Sequence, residues 1–205
     1  MKLHYRIAWL AALGLARLLW GFRVSGREHI PTTGQVVVAS NHISNWDPLL
    51  VGLACPREVH FLAKRELFAN RLFAALITAY NAIPLDRDGS DRKALRVARR
   101  LLGEERALLM FPEGTRSLTG ELGRARPGVA FIAASTGAPM VPACIVGSAD
   151  PRGAFRRRGS VRVAFAAPLR HEGPSSTEAC EETTERVMSA IAALKSELET
   201  ETGTG

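Results

Sequence analysis

Two short stretches carry side chains whose types and spacing suit chemistry. The first reads Asn41-His42-Ile43-Ser44-Asn45-Trp46-Asp47. A turn of this length can bring the Asp47 carboxylate to one imidazole nitrogen of His42. That contact fixes the tautomer and leaves the other nitrogen to accept a hydroxyl proton. Read alone, the spacing suits equally well an Asp that caps a helix and a His that bonds the backbone. The second stretch reads Phe111-Pro112-Glu113-Gly114-Thr115-Arg116-Ser117. Arg116 offers a planar fork of donors that matches a phosphate, with the hydroxyls of Thr115 and Ser117 beside it. An ordinary polar turn with a Glu113–Arg116 ion pair has the same composition.

Both stretches follow apolar runs that read as buried strands. Gln35–Ser40 is rich in β-branched residues and follows the breakers Pro31 and Gly34. Ala107–Phe111 is the second such run. Asp47-Pro48 fits the N-cap and first position of a short helix through Ala54. Further strands are expected at Val59–Ala63, at Met140–Val146, at Val161–Ala166 and, with Pro84 marking an edge, at Ala82–Leu85. Helices are expected from Glu66 to Tyr80, from Ser90 or Asp91 to Gly103, and between Pro127 and Gly137. A last helix opens on a capping box of Ser175 and Glu178, and its Thr184, Val187, Ile191, Leu194 and Leu198 step by three and four. Strands alternating with helices predict an α/β fold. It is a single domain with a mixed, partly parallel sheet flanked by helices, and its chemistry gathers at the C-terminal ends of strands. The expected division is a membrane-associating helix over 1–22, the domain over 23–199 and a disordered tail over 200–205.

The N-terminal segment is apolar from Ile7 to Ala16, without a small-residue cleavage site after it. It is short for a spanning helix, which takes about 20 apolar residues. At about 100° per residue, Lys2, Arg6 and Arg17 fall within about 60° of each other, a narrow cationic stripe on a helix whose remaining surface carries Leu3, Ile7, Leu10, Leu15 and Leu18. This suits an amphipathic helix lying in a lipid interface, with Trp9 and Trp20 at headgroup level. The competing reading is a helix packed on the protein's own core. The 205 residues carry a formal net charge of +7. From Glu178 onward seven Glu face Arg186 and Lys195, so that segment is acidic and the preceding body strongly basic. A basic body favours nucleic acid, anionic membrane or phosphorylated substrate. No recognition motif or aromatic platform supports nucleic acid, and the Arg-rich stretches are short. The segment Arg152 to Arg158 suits lipid phosphates. Cys55, Cys144 and Cys180 are widely spaced, which reads as idle thiols in a reducing compartment. His4, His29 and His171 are dispersed and give no metal-ligand spacing, so no metal is expected. His60, inside a strand, reads as a core residue, and Lys64 and Glu66 as a local ion pair.

Taken together, the two loops resemble the blocks of a known family. Asn41–Asp47 resembles the N-H-x4-D block of the glycerophospholipid acyltransferases, and Phe111–Ser117 resembles their F-P-E-G-T-R-S block in full. Ile83-Pro84-Leu85-Asp86-Arg87 resembles the second block and Val141-Pro142 the proline-bearing fourth. The resemblance spans roughly Val36 to Gly147 and points to the 1-acylglycerol-3-phosphate acyltransferase family. It implies that His42 is the general base and Asp47 its orienting partner. Glu113, Gly114, Thr115 and Arg116 would line the acceptor site, with Arg87 and Arg116 on its phosphate. Val141 and Pro142 would contribute to the acyl-donor region. The chain departs from the pattern at Asn81-Ala82, where the family often has Gly, and at Arg124 and Arg126, where it often has a Lys.

The implied reaction moves a fatty acyl group from acyl-CoA or acyl-carrier protein to a lysophospholipid hydroxyl, giving phosphatidic acid, with no cofactor. The expected location is the cytoplasmic face of a membrane, peripheral or monotopic. A thioester carbonyl is already activated, so proton removal, alignment and oxyanion stabilisation suffice without an acyl-enzyme. The chain has no G-x-S-x-G elbow, and Ser44, the one tempting nucleophile, fits a turn residue. Other acceptors remain open: glycerol-3-phosphate, another lysophospholipid or a glycolipid. A catalytically silent lipid-binding protein is the reading outside the enzymes.

Overall fold

Apolar strands of four to seven residues, flanked by turn formers, assemble into a seven-stranded sheet in the computed structural model, which describes residues 3–85, 90–150, 153 and 161–203. The strands are β1 (Arg23–Ser25, the one shorter exception), β2 (Val36–Ser40), β3 (Val59–Lys64), β4 (Ala82–Leu85), β5 (Ala107–Met110), β6 (Met140–Val146) and β7 (Arg162–Phe165). The helices are α1 (Leu3–Trp20), α2 (Asp47–Ala54), α3 (Arg71–Ala79), α4 (Ser90–Gly103), α5 (Gly128–Thr136) and α6 (Thr177–Gly203). The strand order is β1-β7-β6-β2-β5-β3-β4, parallel throughout except for the antiparallel β6–β7 pair. This is the mixed, mostly parallel α/β sheet expected, with the proline-bearing β4 at an edge.

The central strands are buried on both faces, as parallel strands between helical layers must be. Alternate residues of β2 enter opposite cores: Val36 and Val38 join one, Val37 and Ala39 the other. The first core is roofed by Leu13 and Ala16 of α1, Val51 and Leu53 of α2 and Ile77 of α3. The second is closed by Leu102 of α4, Ile132 of α5, and Val187, Ile191, Leu194 and Leu198 of α6. Burying four such side chains of α6 contributes about 1.5–3 kcal/mol each, which docks the long acidic helix on the body.

Several expectations shift. The helix expected from Glu66 to Tyr80 divides into a 3-10 turn over Arg65–Phe68 and α3, because Asn70 caps α3 by accepting the Phe73 N–H at 3.0 Å. The cap of α6 is Ser176, which accepts the Ala179 N–H at 3.3 Å, one residue after the expected Ser175. That helix runs to Gly203, so the tail expected to fray from Thr200 is helical for four more residues. Strand β1 was not anticipated. It lies parallel to β7, and Gly26 behind it (φ +71) passes so close that a Cβ there would sit 2.0 Å from the Phe165 carbonyl oxygen. Only glycine fits that approach.

The N-terminal helix is not a separate unit. Leu13 and Ala16 are buried in the domain core with Phe22, and Trp9 and Trp20 pack against the same cluster rather than standing free for headgroups. Arg27 lies over the Trp9 ring at 5.6 Å. The outer side of α1 keeps Leu10, Leu15 and Leu18 more than half exposed beside exposed Arg6 and Arg17. Among the described residues no helix is long and apolar enough to cross a membrane. The Arg-rich segment 152–158 lies outside the described residues apart from Gly153.

Candidate active site

Strands β6, β2 and β5 are adjacent and mutually parallel, so their C-terminal ends share one edge of the sheet. The loops after β2 and β5 therefore meet, although about 70 residues separate them in the chain. His42 Nδ1 lies 2.9 Å from Asp47 Oδ2. The same oxygen accepts the N–H groups of Ile43 and Ser44 at 2.6 Å each, and Oδ1 accepts the Ser148 hydroxyl at 2.5 Å. Asp47 is the first residue of α2 and wholly buried, and it does not cap that helix: Trp46 holds the N-cap position without a side-chain bond. A carboxylate accepts only, so the hydrogen at His42 Nδ1 points to Asp47. Nε2 is left with the acceptor lone pair. The imidazole is stacked on Phe111, with ring centroids 4.1 Å apart and planes 19° apart, and its side chain stays 16% exposed. The ring thus keeps a narrow opening to solvent.

The loop that carries His42 is clamped on both sides. Asn41 spans to β6, donating Nδ2–H to the Ile145 carbonyl at 2.9 Å and accepting the Ile145 N–H at 2.8 Å. On the β5 side, Glu113 accepts the His42 N–H at 3.1 Å and the Gly123 N–H at 2.8 Å, while Ser117 N–H donates to the His42 carbonyl at 2.8 Å. A Cβ at Gly123 would stand 2.9 Å from the Glu113 carboxylate and displace it, so glycine there leaves the clamp undisturbed. Buried Glu113 therefore fixes the backbone of two loops through its two carboxylate oxygens. It makes no ion pair with Arg116 among the described residues. Gly114, Thr115 and Arg116 are exposed on the rim, and the Arg126 side chain runs past Gly114 at contact distance.

Other expectations resolve as follows. Val141 and Pro142 lie inside β6 and are both buried in the sheet. Pro142 sits where the β6–β7 ladder skips a residue, between the Ala143–Phe165 and Met140–Leu169 pairs, and a missing N–H is tolerated there. Ser44 accepts the Trp46 N–H through Oγ at 3.3 Å and is buried, a turn residue as expected. Arg87 lies outside the described residues. His60 is half-buried with Nδ1 unpartnered, and burial pushes its imidazole pKa down, with Arg106 adding to the effect. The thiols of Cys55 and Cys144 are buried and free, and burial pushes both up to about 12. His171 spends its nitrogens on Thr183 and the Pro174 carbonyl. No group of three metal-ligating side chains occurs among the described residues. Sequence reasoning missed Ser148, Phe111 and the clamping role of Asn41. Of these, Ser148 carried one signal: it follows a strand that ends on the expected edge.

A histidine–aspartate pair thus stands at the C-terminal edge of the parallel strands, its Nδ1 bound to the carboxylate. The family model described as Acyltransferase matches residues 21–146, and the chain belongs to this family of O-acyltransferases. It is 30% identical over 151 residues to a 1-acyl-sn-glycerol-3-phosphate acyltransferase of Bacillus subtilis, covering 73% of this chain and 74% of that protein. The enzyme of the same name from Streptococcus pneumoniae is 30% identical over 149 residues, covering 68% of this chain and 54% of its own length. The crystal structure of the 1-acyl-sn-glycerophosphate (LPA) acyltransferase PlsC from Thermotoga maritima is similar with a TM-score of 0.70 at 27% identity. The match covers 95% of this chain and 84% of that one.

Proposed function

We propose that this enzyme transfers an acyl group from a thioester, acyl-CoA or acyl-carrier protein, to the hydroxyl of 1-acylglycerol-3-phosphate, giving phosphatidic acid. The observation that carries the reading is the His42–Asp47 pair, with Nδ1 committed at 2.9 Å and Nε2 free. The names of the relatives support the acceptor. As the acceptor oxygen attacks the thioester carbonyl carbon, its proton passes to His42 Nε2. The carbon–sulfur bond then breaks, and the proton is returned to the leaving thiolate. Asp47 stabilises the transient imidazolium without itself taking the proton. Transfer is direct, since Ser44 is buried and turned to its own loop. No cofactor is needed, because the donor brings its activation with it. Exposed Arg116 and Arg126 bind the acceptor's phosphate, joined by Arg87 on the strength of its motif alone.

The same reading sets the enzyme on the cytoplasmic face of a membrane, bound from one side. Of the seven large exposed apolar side chains among the described residues, five, Leu10, Leu15, Leu18, Leu72 and Leu76, belong to α1 and α3, which cover the same face of the sheet, while Trp46 and Leu118 lie in loops. Exposed leucines beside the cationic side chains of Arg6 and Arg17 suit a lipid interface. The test is to mix purified protein with acyl-CoA and 1-acylglycerol-3-phosphate in vesicles and follow thiol release and phosphatidic acid together. The two should appear in equal amounts. Thiol release that ignores the acceptor, or equal use of glycerol-3-phosphate, would overturn the acceptor assignment.

A further inference from the structure

The Ser148 hydroxyl comes from a strand distant in sequence and meets the one carboxylate oxygen that the His42 loop leaves open. Asp47 Oδ2 takes the imidazole and two backbone N–H groups, all from residues 42–44. Oδ1 has a single donor among the described residues, Ser148 Oγ at 2.5 Å. That distance is at the short end of charge-assisted O–H···O bonds. Both residues are closed to solvent, so no water takes over if the hydroxyl is lost. Ser148 stands two residues beyond β6, and the end of that strand is tied to the His42 loop by the paired Asn41–Ile145 bonds. Strand, clamp and hydroxyl thus form one rigid connection behind Asp47.

We infer that Ser148 is a positioning residue: by donating to Asp47 Oδ1 it fixes the carboxylate plane and draws off part of its negative charge, and so sets how strongly Asp47 holds His42. This rests on the acyl-transfer reading above and deepens it. Without the hydroxyl the carboxylate turns more freely and presents more charge to the imidazole. The imidazolium is then stabilised and the base is less well aligned. The other ionisable groups around the pair are Glu113, both of whose oxygens hold backbone N–H groups, and the Cys144 thiol on β6, kept neutral by burial. Exposed Arg116 and Arg126 stand on the rim. None of these changes when Ser148 is replaced.

The experiment titrates the His42 imidazole by NMR in wild type and in Ser148→Ala and Ser148→Thr, with His42→Ala identifying the signal, and measures turnover in parallel. In Ser148→Ala the midpoint should rise by about half a unit or more, and kcat should fall about tenfold with KM nearly unchanged. Ser148→Thr, which keeps the hydroxyl, should return both towards wild type. A serine that merely fills space would lower the melting temperature and leave the titration alone, and that result overturns the inference. Should Ser148→Ala not fold, Ser148→Cys keeps the volume with a weaker donor, and an unshifted His42 there overturns it equally. The titration is read without turnover. A shifted midpoint in a protein that transfers no acyl group supports the coupling and refutes the acyl-transfer reading alone, while an unshifted midpoint in an active enzyme refutes the Ser148 role alone.

Discussion

At Glu113 the direction of two carboxylate oxygens decides what the residue is for. Each accepts a backbone N–H, one from the His42 loop and one from Gly123, and the side chain is buried. Glu113→Gln keeps the shape but turns a donor towards one of those N–H groups, which should cost about 1–3 kcal/mol of stability. Turnover should fall because His42 is displaced, while selectivity for a phosphorylated acceptor stays. Thermal melting and paired acceptors, with and without phosphate, test both parts. The rim arginines should behave in the opposite way. Arg116→Lys and Arg126→Lys keep the charge but lose the bidentate fork. They should leave the melting temperature in place, raise the acceptor's KM and lose most of the preference for the phosphorylated acceptor. Full retention of that preference in both variants would put the phosphate elsewhere.

At the scale of elements, α1 does two jobs on opposite sides. Leu13 and Ala16 complete the core, whereas Leu10, Leu15 and Leu18 face outward. Removing the whole helix would open the core, so the lipid reading is better tested on single faces. Replacing the three outward leucines by Gln should strip the protein from anionic vesicles in cosedimentation while the melting temperature holds. Leu13→Ala should do the reverse, costing about 2–5 kcal/mol with vesicle binding retained in the folded fraction. The elements themselves were largely legible. β2, β5, β6 and α5 announce themselves by apolar runs near glycines and prolines, α4 by its basic amphipathic pattern, and the stepped positions of α6 are all buried. What local pattern does not carry is pairing. β1 is three residues long and exists only because β7 lies beside it. Ser148 meets Asp47 only because β6 neighbours β2. Likewise, a loop sequence such as Phe111–Ser117 does not say which side chains turn inward, so the bonds from Glu113 to the His42 and Gly123 N–H groups were not legible in it.

For the whole molecule, the sheet separates two environments. One face is roofed by α1, α2 and α3, with leucines outward, and the other by α4, α5 and α6, whose outward positions are mostly charged. The His42 edge lies between them; under the proposed reaction a lipid acceptor would come from the first face and the donor from solvent. The proposed reaction has one centre, the proton transfer at His42. The most direct measurement is phosphatidic acid formation on vesicles by folded His42→Ala beside wild type, with binding of the acyl donor measured separately. The account predicts turnover lower by about 10²–10⁴, the usual contribution of a positioned base, with donor affinity nearly unchanged. Near-normal turnover in a folded His42→Ala protein would contradict it.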